Sequence, residues 1–106
     1  MPSDLLDCMT PEKEIELAFR ERGVVRGGIL FLRADDAVAL TEAARQTGVR
    51  VLGVDAFRLS NDATQPLMQH SVDFSSESRE SDLWTKASDF IRRQPTDLFF
   101  EVVLGD

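Results

Sequence analysis

One cysteine, Cys8, and one histidine, His70, occur in a chain of 106 residues, and each scarcity excludes something. A single thiol cannot close an internal disulfide, so the fold has to rest on its core alone. Cys8 lies in an acidic stretch with no His or Lys beside it to lower its pKa, and an ordinary thiol is expected there. With His70 as the sole imidazole, a Ser/His or Cys/His dyad would depend on one side chain. The strand parity below turns His70 toward the core, where a hydrogen-bonded structural imidazole is the commoner fate. Glycines are few as well: Gly27-Gly28 comes before a strand and lacks a following Lys-Ser/Thr, which makes it a turn and not a phosphate loop. The chain is therefore expected to be no enzyme and to hold no cofactor.

Long apolar runs are missing too. Ile29-Leu30-Phe31-Leu32 and Val102-Val103-Leu104 fall far short of the ~18 residues that span a bilayer. Residues 1–9 show no cationic region followed by an apolar one, so a soluble, cytoplasmic protein with no membrane partner is expected. Basic side chains are the third shortage, 12 against 19 acidic ones for a net charge of −7. Binding a phosphate backbone is driven by cations that release counterions, so no nucleic acid is expected as partner. The acidity sits at the two ends: residues 1–22 carry −3, 23–60 carry +1 and 61–106 carry −5.

What remains, 42% apolar residues, is enough for one core, and residues 1–106 are read as a single α+β domain with 1–9 irregular. Thr10-Pro11 opens a first helix over 11–22, stopped by Gly23. Residues 29–32 form a first strand, 35–47 a second helix ended by Gly48, and 49–59 the longest strand. From Leu67, the alternation of Met68, His70, Val72 and Phe74 with Gln69, Ser71 and Asp73 predicts a half-buried strand. Residues 75–81 read as a loop before a helix over 81–93, which Pro95 terminates, and 98–104 close the chain as a strand. After the N-terminal helix this is β-α-β-β-α-β, the order of a ferredoxin-like antiparallel sheet with both helices on one face.

Parity then singles out the other face. If Leu52, Val54 and Ala56 point to the helices, Val51, Gly53, Asp55 and Phe57 point away. In the next strand Met68, His70, Val72 and Phe74 turn inward and Asp73 outward; in the last, Leu98, Phe100, Val102 and Leu104 turn inward and Phe99, Glu101 and Val103 outward. Carboxylates of Asp55, Asp73 and Glu101 among Phe57 and Phe99 suit a protein partner, and these five are the candidate partner-binding residues. Cover by the first helix, by residues 1–9 or by a second copy in a homodimer is the bland alternative. No metal is expected, since the three carboxylates come from different strands in no ligand spacing.

The run from Asp35-Asp36-Ala37-Val38 to Gly48-Val49-Arg50-Val51-Leu52-Gly53-Val54-Asp55-Ala56-Phe57, followed by a helix over 84–91 with Ala87, Phe90 and Ile91, resembles the small immunity proteins of bacterial polymorphic toxin systems. In particular it is similar to immunity protein family forty, over about residues 15–104. The resemblance implies a non-catalytic protein that binds a cognate toxin domain and blocks it. The alternative is a ferredoxin-like regulatory or ligand-binding module acting as a homodimer.

Overall fold

The computed structural model describes residues 10–78 and 81–105. The expectation of an irregular 1–9, Cys8 included, lies outside the described residues. Helix α1 (Pro11–Phe19) begins where the Thr10 hydroxyl accepts the Lys13 amide at 3.2 Å, and a 3-10 turn, Arg20–Arg22, carries it to Gly23. Strands β1 (Val24–Arg26) and β2 (Ile29–Arg33) form a hairpin around Gly27 and Gly28, whose φ angles of 57° and 80° match the paired left-handed residues of a tight hairpin turn. Helix α2 (Ala34–Thr47) ends at Gly48, φ 75°, and leads into the hairpin of β3 (Arg50–Leu59) and β4 (Thr64–Asp73). Helix α3 (Leu83–Arg92) is capped by the Asp82 carboxylate, which accepts the Thr85 amide at 3.0 Å, and β5 (Phe99–Gly105) follows. No described helix is long and apolar enough to cross a membrane.

The fold is α+β, with one five-stranded antiparallel sheet in the order β1-β2-β5-β3-β4 and three helices. This order does not confirm a ferredoxin-like arrangement. There the first and third strands of the β-α-β-β-α-β unit occupy the centre, whereas here its second and fourth, β3 and β5, do. Two features account for the difference. Pro66 lies inside β4 and has no amide to donate, which suits an edge strand and not a central one. The β1–β2 hairpin occupies one edge of β2, leaving the other for β5, whose apolar run suits a central place.

The core lies between the sheet and the helices. Leu32, Val54, Ala56, Phe100 and Val102 meet Ala37, Leu40 and Ala44 of α2 and Leu83, Ala87 and Ile91 of α3. Helix α1 packs against α2 and adds Ile15 and Phe19 to the same core, so it belongs to the helical layer.

Two irregularities correct the expected parity. The register of β3 with β5 shifts between Val51 and Gly53, so Val51 is fully buried in the core, while Leu52 is displaced outward beside Gly105. In β4, residues 68–71 span the single position of Asp55 on β3. The Ser71 hydroxyl donates to the Leu67 carbonyl and accepts the Ala56 amide, each at 2.9 Å, replacing the interrupted ladder. Met68, expected in the core, is therefore 79% exposed, and its inward place is taken by Leu67. Val72 and Phe74 do face the helices. His70 is half-buried, and its Nδ1 lies 2.8 Å from the Gln94 side-chain oxygen.

Gly53 is buried, and a Cβ there would stand 2.8 Å from the Val72 carbonyl oxygen, a backbone atom of the paired strand. Gly53→Ala should lower stability by about 1–3 kcal/mol, read as a fall in the urea midpoint with the folded spectrum retained.

Candidate functional site

The face of the sheet opposite the helices gathers the residues singled out by parity. Asp55 of β3 stands directly across from Glu101 of β5, and Phe57 across from Phe99. Asp73 of β4 lies opposite Gly53, which on its other side pairs with Val103. All five candidates thus share one face of three adjacent strands.

Their surroundings differ. The Phe57 ring meets the Phe31 ring edge-on, with centroids 4.8 Å apart and planes at 78°, and Phe31 is 1% exposed. Phe99 carries the Arg33 guanidinium over its ring, 4.4 Å from the centroid. The rings are half-buried, with Phe31 and Arg33 of β2 against them; Asp55 and Glu101 are half-buried too, and of the five only Asp73 is exposed.

Those carboxylates form an electrostatic series. The Ser75 backbone amide, donating to Asp73 at 2.8 Å, and the Ser75 hydroxyl hold Asp73 below the ordinary carboxylate range. Its negative charge acts on Asp55, which partial burial has already raised, and Asp55 acts in turn on Glu101, raised first by burial and then by its neighbours Asp55 and Glu16. Glu16 of α1 is the one contribution of that helix to the electrostatics of this face. Among the described residues neither Asp55 nor Glu101 has an ion-pair partner; the arginines and lysine that do pair, such as Arg22 with Asp36 and Lys86 with Glu77, do so elsewhere. Among the same residues no group of three or more His, Cys, Asp and Glu side chains is placed to hold a metal ion.

Three residues of the face were not among the sequence candidates: Phe31, Arg33 and Arg26. Phe31 and Arg33 lie on β2, within or beside the strand read over 29–32, and the signal for Arg26 was the glycine pair at 27–28, which marks a hairpin and extends the sheet by one strand. Helices α2 and α3 also enclose a groove of about 340 Å³ between the Glu42–Arg45 and Asp89–Arg92 pairs, with Trp84 on its wall. The Trp84 indole donates to the Val49 carbonyl at 2.7 Å, so its polar atom is spent within the fold.

No family model matches this sequence, and neither a curated protein nor a solved structure matches it.

A raised carboxyl binds its proton more tightly in the native state than in the unfolded chain. Its stabilising effect is therefore full at low pH and lost as pH rises through the ordinary carboxylate range and above it. Glu101→Gln and Asp55→Asn should each raise the urea midpoint at neutral pH, with the gain shrinking on acidification. Asp73→Asn should do the reverse, since the Asp73 carboxylate is stabilised above its ordinary range and loses that benefit as pH falls. Midpoints measured from neutral to acidic pH check both signs.

Proposed function

We propose that this chain is a non-catalytic immunity protein that binds a cognate bacterial toxin domain in the cytoplasm of the producing cell. The sheet face opposite the helices is its docking surface, with Asp55, Asp73 and Glu101 as the charged contacts and Phe57 and Phe99 as apolar ones. The observation that carries this reading is the direct pairing of Asp55 with Glu101 on two central strands, with no cation of the described chain paired to either. Like charges directly opposite one another cost the sheet about 0.2–1 kcal/mol. A basic side chain arriving from a partner removes that cost and gains two charge-assisted hydrogen bonds. The net charge of −7 favours the same class of partner, because complementary potentials speed encounter. A toxin that acts on nucleic acid has the basic surface this requires. The likeness to immunity protein family forty points the same way.

Co-expression with the toxin-like domain encoded immediately upstream, in a sensitive host, tests the reading. Protection is expected, together with a complex whose affinity falls as salt is raised. The triple variant Asp55→Asn/Asp73→Asn/Glu101→Gln should weaken that complex about a hundredfold or more, and His70→Asn should leave it unchanged. Unrelieved killing by a toxin co-expressed with folded protein would sink the proposal. Self-association abolished by the triple variant would instead support the homodimeric module.

A further inference from the structure

We propose that residues 24–31 form a flap at one end of the sheet face opposite the helices, hinged at Phe31 and Leu32 and latched shut by Arg26, and that its lifting bares Phe31 and Phe57. The hinge is visible in the strand pairing. Strand β2 is joined to β5 only where Leu32 meets Phe100 and Arg33 meets Phe99, while Ile29, Leu30 and Phe31 pair with β1 alone. Beyond Phe31 the hairpin is therefore held to the sheet by no ladder of its own.

The latch closes the far end. Arg26 Nη1 donates to the Ala63 carbonyl at 2.9 Å and to the Thr64 hydroxyl at 3.0 Å, and Nη2 donates to the Ser60 carbonyl at 2.6 Å. These acceptors belong to the β3–β4 turn, whereas Arg26 sits on the opposite edge of the sheet, so the two hairpin tips curl toward each other. Register puts Arg26 on the same side of the hairpin as Val24, which pairs with Phe31. The side chain thus lies on the Phe31 side of the hairpin and ties its tip to the β3–β4 turn.

Toward the tip the hairpin is more exposed. Val25 and Ile29 are 38% and 37% exposed, and the half-buried Leu30 packs at the edge of the core; the guanidinium, whose bonds water can replace, and the Phe31–Phe57 ring pair add to that hold. Lifting the flap sets the Phe31 and Phe57 rings beside Phe99 and the carboxylates as added apolar area. The use of that area by a toxin rests on the function proposed above; the flap itself does not.

Native-state hydrogen exchange on the full chain, read amide by amide in low urea, tests it. Amides of residues 24–31 should open as one group well below the global unfolding transition. Arg26→Gln should speed their exchange about tenfold or more and leave Val54, Ala56, Phe100 and Val102 unchanged. Exchange of 24–31 only through global unfolding, or equal acceleration in β3 and β5, would overturn the flap. The urea series on the unmodified protein decides the matter even if Arg26→Gln does not fold. A flap found together with failed toxin protection keeps this inference and discards the docking reading.

Discussion

One extra residue at Leu52 decides on which side of the sheet Asp55 lies. Val51 is in the core, and in a regular strand every second residue after it, Gly53, Asp55 and Phe57, would be there too. The shifted register between Val51 and Gly53 reverses the alternation, returns Val54 and Ala56 to the helices and delivers Asp55 to the opposite face. Without it the strand would bury a carboxylate among Leu32, Phe100 and the helices, at a cost far above that of a local break in the ladder. Gly53 makes the break tolerable, because the neighbouring backbone leaves no space for a Cβ. The acidic face is thus a product of one bulge in the central strand.

The elements other than β1 were legible where local chemistry acting over a few residues bounds them: Thr10-Pro11 before α1, Gly48 after α2, Pro95 after α3. Strand order was not, since right-handed crossovers that each skip one strand fit both the ferredoxin-like order and the observed one. The deciding residue was Pro66, which becomes informative only if the strand is taken to begin at Thr64 and not at Leu67. Strand β1 was missed because three residues, Val24–Arg26, show no period; the glycine pair after them was the readable signal. Of the site, Asp55, Asp73 and Glu101 do come together, although parity reasoning reached Asp55 from Leu52 and misplaced Val51. Bulges stay hidden in a single sequence because their stabilising bonds, such as that of Ser71 to the Ala56 amide, are nonlocal.

The sheet can carry opposed carboxylates because its other face is strongly held. Behind Asp55 and Glu101 lie Val54, Ala56, Phe100 and Val102, all in the core. Burying one such large side chain contributes about 1.5–3 kcal/mol, against about 0.2–1 kcal/mol lost to a like-charged pair across two strands. The fold therefore tolerates the unfavourable pair. It also explains why the charges belong on β3 and β5: central strands hold their backbones fixed on both sides, so the two carboxyl groups cannot drift apart to relieve each other. An edge strand does not fix its charge in this way, and on β4 the Asp73 carboxylate turns to the Ser75 amide, spending part of its acceptor capacity within the chain. Asp55 and Glu101 are thus the pair for which a cation from outside changes most.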